Sequence, residues 1–225
     1  MAERIPAGAD CLLATTLCGA VVGALVRIQS KSKFRVTLHL VLKIHNEELL
    51  QQACEYVGRG LDSSRSGAAR TFPTAHATIG LAYGCRKIVR SLRGVDPTLF
   101  QSTMTHLRLN LAASKMAPEV RFVLAIPILQ PQSSFFPPSP VAAIVYIDSR
   151  SSDFWLSNTE ISDLCILIGT LWMILRSGRI GHLTGCATPL TDIDTNPNPL
   201  ADLPVKVADA LELLTSVRPP CQSAL

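Results

Sequence analysis

The chain of 225 residues is rich in apolar residues (48%) and poor in charged ones (17%), and its formal net charge is +4. An apolar fraction this high can bury a core, which excludes a wholly disordered chain. A net charge this small does not indicate nucleic-acid binding by itself. The low charged fraction predicts a heavily buried chain, an apolar interface or a membrane segment.

The first apolar segment, residues 11–27, has no charged side chain before Arg27. It is shorter than the roughly 20 residues of a spanning helix, and no basic leader precedes it. Apolar side chains recur every four residues, as they do in a helix that buries one face. They are Leu13, Leu17, Val21 and Leu25. We therefore predict a core helix with Asp10 as its candidate N-cap, and a membrane anchor is the alternative.

The next segments predict a pair of antiparallel strands and then a helix. Apolar side chains alternate with other residues over 35–42, and a second extended run covers 49–57 before Gly58. Residues 59–70 read as a loop rich in Gly, Ser and Arg. Residues 75–90 are compatible with a helix whose Ile79, Tyr83 and Ile88 face inward.

A buried hairpin and a capped helix are predicted in the second half of the chain. Residues 120–129 and 141–148 are nearly continuous apolar runs, which are typical of central strands, and they flank a proline-rich turn. Pro127 favours an edge or a bulge. Ser157 and Glu160 form a capping box, after which apolar residues follow a helical stripe until Gly178. The opposite flank of this helix is also apolar, so it needs a second partner.

The sequence divides into a domain at residues 10–178 and a tail at residues 179–225. A Pro- and Asn-rich stretch at 189–199 is typical of a linker. Beyond it, apolar residues at helical spacing predict a short amphipathic helix. They are Leu203, Val207, Leu211 and Leu214.

Motifs for metals, phosphates and nucleophilic serine are missing from the sequence. The seven cysteines include no C-x-x-C pair, and no two histidines stand at ligand spacing. There is no phosphate-binding glycine loop and no G-x-S-x-G. Scattered free cysteines are typical of a reduced, cytoplasmic protein. The basic residues around Arg86 and Arg90 are interpreted as a solvated helix face, without nucleic acid as a partner.

Four local segments resemble the GAF domain, a module that senses small molecules in many signalling proteins. They are Phe34 to His39 as a first strand, Ile79 to Ala82 as a glycine-containing helix start, Val123 to Ile128 as a strand ending in Pro-Ile, and Val141 to Glu160 as the closing hairpin and helix. The resemblance implies an α+β fold in α/β/α layers, with a central antiparallel sheet of five to six strands flanked by N- and C-terminal helices, as in GAF and PAS domains.

The resemblance also implies a non-catalytic sensing or regulatory role, a homodimer formed through the terminal helices, and a partner signalling protein. Its ligand would lie over one face of the sheet. The residues expected to line that site are Phe72, Ile79, Tyr83, Phe100, Arg121 and Tyr146. The ligand and any cofactor stay unidentified, because the cysteine and histidine positions of tetrapyrrole-binding relatives have no match.

One GAF-like branch reduces free methionine-(R)-sulfoxide with cysteines, which makes an enzyme the main alternative. Cys85 lies beside Arg86 and Lys87, which would lower its pKa if it were exposed. Cys54 is the only resolving cysteine expected on the same half of the chain.

Overall fold

The structure is a computed structural model that describes residues 8–44, 47–60, 67–75, 77–91, 98, 102, 105, 119–130, 140–177 and 211–220. Its helices are α1 (Gly8–Ile28), α2 (Ala77–Cys85) and α3 (Asn158–Ser177). Its longer strands are β1 (Phe34–Ile44), β2 (Glu47–Gln52), β6 (Phe122–Leu129) and β7 (Val141–Ser149). The three-residue strands are β3 (Val57–Arg59), β4 (Thr71–Pro73), β5 (Val89–Ser91) and β8 (Leu211–Leu213).

All these strands form one antiparallel sheet in the order β4-β2-β1-β7-β6-β5-β8, with β3 paired to β1. The predicted β1–β2 and β6–β7 hairpins are both present, and β1 pairs directly with β7 at the centre. Helices α1 and α3 pack together on one face of the sheet, and α2 packs on the other. The predicted α+β fold in α/β/α layers is therefore confirmed. The described sheet has eight strands where five to six were expected, because the three-residue strands β3, β4, β5 and β8 extend it.

Strict alternation along β1 separates the two faces of the sheet. Val36, Leu38 and Leu40 join the main apolar core under α1 and α3, whereas the intervening residues lie on the opposite side of the sheet. All four predicted positions of the α1 stripe are buried, and Leu17, Val21 and Leu25 belong to this core. The core helix predicted at residues 11–27 is thus the observed arrangement.

The capping box of α3 is formed as predicted. The backbone N–H of Ser157 donates to Glu160 Oε2 at 2.6 Å, and the N–H of Glu160 donates to Ser157 Oγ at 3.3 Å. These two bonds satisfy amide groups that the first turn of a helix leaves open. Asp10, in contrast, does not cap α1, because that helix begins at Gly8 and Asp10 lies in its first turn.

The helix predicted at residues 75–90 is shorter than expected and is followed by a strand. Helix α2 ends at Cys85, and Arg86 adopts a positive φ of 54°, which breaks the helical path. Ile88 then packs in the core on the α1 side of the sheet, opposite the face where Ile79 is buried. Apolar spacing alone did not distinguish a helix from a turn followed by a buried strand.

Pro127 fits into the central strand β6 because β5 is short. The pairing of β5 with β6 stops at Ala125, so Pro127 has a strand neighbour only on the β7 side, where it lies opposite Ile144. A proline lacks the N–H that a second neighbour would need. The register irregularity follows at Ile128 and Leu129.

The C-terminal segment 211–220 belongs to the domain and not to a separate tail. Leu211 lies in strand β8, which pairs with β5, so the helix predicted around it is wrong at this end. The backbone N–H of Leu129 donates to the carbonyl of Pro220 at 2.8 Å, and Leu214 is buried in the core. Leu203, Val207, the 189–199 linker and Gly178 lie outside the described residues.

Candidate functional site

The two faces of the sheet differ in chemistry. The face under α1 and α3 is almost wholly apolar, whereas the face under α2 carries polar and aromatic side chains at its centre. Strand β1 contributes Arg35, Thr37 and His39 to this face, and β7 contributes Tyr146 and Asp148 from the neighbouring register positions. We call Arg35, His39, Tyr56, Tyr146 and Asp148 the polar cluster.

A buried ion pair is the main feature of the polar cluster. Arg35 and Asp148 lie directly opposite each other in the β1–β7 register, and Arg35 Nε donates to Asp148 Oδ1 at 2.7 Å. The Asp148 side chain is 2% exposed and that of Arg35 is 22% exposed. Among the described residues, no donor makes a hydrogen bond of good geometry to Asp148 Oδ2.

Burial and charge act in opposite directions on Asp148. Burial raises the pKa of its carboxyl above the ordinary value, while the Arg35 guanidinium and the nearby Tyr146 hydroxyl lower it. Burial has the larger effect, so the pKa is raised overall. Perturbed carboxyl groups of this kind are concentrated in functional sites, although structural ion pairs also produce them.

Aromatic rings lie beside the ion pair and next to one another in this part of the structure. The Arg35 guanidinium lies 4.0 Å from the ring centroid of Tyr56 in a cation–π contact. The His39 ring meets Tyr146 edge-on at 6.0 Å and Phe72 at 5.5 Å between centroids. Burial raises the pKa of both Tyr56 and Tyr146, and the charge on Asp148 raises each further. Both phenols therefore stay protonated and can donate hydrogen bonds at neutral pH.

Helix α2 is anchored above this face by apolar and polar contacts. Ile79 is buried with Val89 and Ala125 in the smaller core cluster. The Tyr83 hydroxyl donates a hydrogen bond to Glu48 Oε2 on β2, and burial raises the pKa of Tyr83 above its ordinary value.

The structure brings together four of the six predicted site residues. Phe72, Ile79, Tyr83 and Tyr146 all belong to the cluster between α2 and the sheet. Arg121 does not: it precedes β6 and its side chain is exposed to solvent. Phe100 lies outside the described residues.

Sequence reasoning missed the residues that give the site its charge. Asp148 lies near the end of a nearly all-apolar strand, and Arg35 and His39 alternate with buried apolar residues. Each pattern signals a polar residue facing into the domain, but only the strand register shows that Arg35 and Asp148, 113 positions apart, are partners.

The cysteines do not assemble as the reductase alternative requires. Burial raises the pKa of Cys85 even though Lys87 and Arg86 act to lower it, so the expected activation is not found. Cys54 lies in the core on the α1 side of the sheet, whereas Cys85 ends α2 on the opposite side. The thiol near Cys54 is that of Cys18, with 3.8 Å between the two sulfurs.

The basic residues after α2 do not form a solvated helix face, because Arg90 is buried. It lies on strand β5, where it donates to the carbonyl oxygen of Leu156 at 2.7 Å and stacks 4.1 Å from the ring centroid of Trp155. These contacts of Arg90 join β5 to the segment before α3, so Arg90 has a structural role. Within the described ranges, no three His, Cys, Asp or Glu side chains converge as metal ligands would.

No protein-family model and no curated protein matches the sequence. Among solved structures, the chain is similar to a GAF domain from an Acinetobacter phosphoenolpyruvate-protein phosphotransferase (16% identity, TM-score 0.46, 79% of this chain and 87% of that chain). It is also similar to a GAF domain/HD domain protein from Geobacter sulfurreducens (13% identity, TM-score 0.46, 79% of this chain and 96% of that chain). A type II free methionine-R-sulfoxide reductase from Thermoplasma acidophilum is a further match (13% identity, TM-score 0.45, 75% of this chain and 96% of that chain).

These similarities concern the fold and carry no information on ligand or activity. The observed layers, with a central β1–β7–β6 sheet, terminal helices on one face and a short helix on the other, match what the GAF resemblance implied. The α+β fold in α/β/α layers is the one that the GAF resemblance implied.

Proposed function

We propose that this chain is a non-catalytic GAF-like sensing or regulatory domain that binds a small molecule between α2 and the strands β1 and β7. The observation that carries the proposal is the buried Arg35–Asp148 pair, with Tyr56 and Tyr146 beside it, in a chain otherwise poor in charge. Binding sites combine apolar and aromatic walls with a few fixed polar groups, which is the composition of this face.

A structural role alone accounts poorly for this pair. A buried ion pair contributes little net stability compared with apolar residues of similar volume. The opposite face of the same sheet is filled by apolar side chains, which shows that apolar residues can pack this sheet without an ion pair. Asp148 Oδ2 and the Tyr56 phenol supply hydrogen-bonding atoms for a ligand that has at least one donor and one aromatic or apolar face.

Native mass spectrometry of the purified chain tests this proposal. We expect the folded protein to carry a non-covalent excess mass that is lost on denaturation, and we expect Asp148→Asn and Arg35→Gln to lose it. Matched controls are Asp163→Asn and Arg121→Gln, at exposed positions, which should retain it. An excess mass retained in all four variants would place the ligand elsewhere and overturn the assignment.

We further propose that the domain acts as a homodimer through α1 and α3 and passes its signal to a partner signalling protein. The two helices pack side by side, and each exposes a large apolar side chain: Leu12 is 68% exposed and Ile166 is 66% exposed. Ligand binding would change the packing of these helices if the two states differ in ligand affinity.

Ile166→Asp tests the dimer. Because Ile166 is exposed, the substitution should leave the fold intact and convert the dimer to a monomer in light scattering. Ile168→Asp is unsuitable because Ile168 is fully buried and its replacement would unfold the core. A substitution at Leu171 would be hard to interpret, because Leu171 is partly buried against the core and its replacement could also destabilise the fold. A monomeric wild type would refute the dimer.

The reducing cytoplasm is the compartment we propose, because each of the five cysteines in the described ranges is a free thiol. Two helices, Asp10–Ile28 and Asn158–Leu175, are long and apolar enough to cross a membrane by length and composition, and both pack partly inside the domain. Recovery of the chain in the membrane fraction after cell lysis would favour the anchored sensor instead.

The non-catalytic assignment is tested against the reductase alternative. We expect no turnover of free methionine sulfoxide by the purified chain in the presence of a dithiol reductant. Turnover that disappears in Cys85→Ser would contradict the proposal and establish the enzyme.

A further inference from the structure

Two buried thiols meet on the side of the sheet away from the polar cluster. Cys18 lies in the middle of α1, and Cys54 follows the end of β2. Both are fully buried in the main core, and their sulfurs are 3.8 Å apart. A disulfide needs a separation of about 2.05 Å, so closing the bond requires a movement of less than 2 Å, roughly one side-chain adjustment.

The surroundings of Cys54 favour its thiolate. The Cys18 thiol hydrogen-bonds to the Cys54 sulfur, and the Thr37 hydroxyl lies 3.9 Å from that sulfur. The hydrogen bond from the Cys18 thiol is the largest influence and, together with the Leu38 backbone, lowers the pKa of Cys54 to about 7 against the opposing effect of burial. The pKa of Cys18 is raised, first by its hydrogen bond to Cys54 and then by burial.

Another buried thiol shows that burial by itself does not lower the pKa of a cysteine. Cys165 on α3 lies in the same core, and burial raises its pKa to about 12. A thiolate is the reactive form of cysteine, so Cys54 and Cys165 should differ greatly in reactivity although both are buried.

We propose that Cys18 and Cys54 form a thiol–disulfide switch that responds to hydrogen peroxide. We name a peroxide as the oxidant because it is small and oxidises a thiolate by two electrons, and because both sulfurs are fully buried it reaches them only when the core opens transiently. This inference goes beyond the proposed sensing function and does not depend on it, since the pair lies on the opposite face of the sheet from the polar cluster.

The reaction consumes one peroxide. The Cys54 thiolate attacks one peroxide oxygen, the O–O bond breaks, and Cys54 becomes a sulfenic acid while hydroxide leaves and is protonated to water. The Cys18 sulfur then attacks the Cys54 sulfur, its thiol proton is lost, and a second water leaves as the S–S bond forms. In total, two thiols are oxidised and one peroxide is reduced to two waters.

The cross-link would fix α1 to the sheet. Cys54 is held there by β1, since the N–H of the preceding Ala53 donates to the Leu38 carbonyl at 2.8 Å and the Thr37 hydroxyl donates to the Cys54 carbonyl at 3.2 Å. In the reduced state, α1 is held only by non-covalent packing. Oxidation would therefore restrict the movement of α1 relative to β1.

Peptide mapping by mass spectrometry tests this switch in the full wild-type chain. The reduced protein is treated with hydrogen peroxide, remaining thiols are alkylated after denaturation, and peptides are analysed without reductant. We expect a linked pair containing Cys18 and Cys54, lighter by the two thiol hydrogens and abolished by dithiothreitol. Cys165 should stay alkylated as a thiol throughout.

Two controls separate this switch from general oxidation. Cys18→Ser should stop the reaction at the Cys54 sulfenic acid, which dimedone traps, and Cys165→Ser should leave the linked pair unchanged. Glutathione disulfide should form the link far more slowly than peroxide. Recovery of both Cys18 and Cys54 as free thiols, under peroxide that oxidises the less buried Cys11 or Cys85, would overturn the proposal even if the Cys18→Ser variant failed to fold.

Discussion

Replacing Arg35 with Met should destabilise the fold strongly, because it leaves the Asp148 carboxylate buried without its cation. Two unit charges about 4 Å apart interact by about 4 kcal/mol at an effective dielectric constant near 20. The 22% exposure of the Arg35 side chain screens part of this interaction. We therefore expect a loss of about 2–3 kcal/mol in the free energy of unfolding at neutral pH.

A second ion pair of the same chain provides the control. Arg150 Nη2 lies 3.1 Å from Glu119 Oε1, with side chains that are 40% and 46% exposed. Exposed pairs contribute roughly 0–1 kcal/mol, and the charge of Arg150 is the smallest of the causes that act on the pKa of Asp148, so Arg150→Met should have a small effect. Urea unfolding followed by circular dichroism measures both losses, and equal denaturant slopes show that the change is in stability.

The effect of Arg35→Met should depend on pH in a definite direction. The folded-state pKa of Asp148 is raised, so the contribution of this group to stability is complete below the unfolded pKa of about 3.9 and is lost as pH rises through the folded pKa. Removing Arg35 raises that pKa further, because the cation lowers it. The variant should therefore lose more stability at about pH 8 than at about pH 5.

The double variant Arg35→Met with Asp148→Asn should recover most of the loss, because no buried charge remains. If Arg35→Met cost no more than Arg150→Met, or cost the same at both pH values, Asp148 would not depend on Arg35 as its buried counter-charge.

Other predictions concern backbone packing and capping. Gly58→Ala should lower the free energy of unfolding in urea by roughly 2 kcal/mol, because a Cβ there would lie 2.2 Å from the Phe34 carbonyl oxygen. Gly84→Ala is the control, because a Cβ at Gly84 meets open space, and it should be neutral or stabilising by up to about 1 kcal/mol. Equal effects of the two substitutions would contradict the packing argument. Ser157→Ala should cost about 1 kcal/mol by the same measurement, since it removes the Oγ that accepts from the Glu160 N–H, and an unchanged midpoint would mean that the box is not formed in solution.

The helices and the central hairpin could be predicted from the sequence because their signals are local. The stripe in α1, the capping box of α3 and the apolar runs of β6 and β7 each lie within about 20 consecutive residues. In each of these segments, the spacing of the apolar residues indicates which side of the helix or strand is buried.

The short strands could not be predicted because their pairing depends on distant residues. Strand β5 exists because Val89 to Ser91 lie between β6 and β8, and nothing in its three residues distinguishes it from the end of α2. Leu211 likewise lies in a strand only because β5 offers it an open edge. Tertiary pairing overrode local apolar spacing at both places.

The apolar part of the candidate site could be predicted and its charged part could not. Ile79 and Tyr146 were found because the GAF resemblance placed them on one face. The Arg35–Asp148 pair depends on the β1–β7 register, whereas Arg121 is a lone charge beside a buried strand, a local signal that does not show where its side chain points.

The most direct test of the account is electron density for the purified chain in a crystal structure. We predict density for a non-protein small molecule between α2 and strands β1 and β7, with a polar atom within hydrogen-bonding distance of Asp148 Oδ2. Side chains packed through this region without a ligand, or a ligand bound on another face, would contradict the assignment of the polar cluster as the binding site.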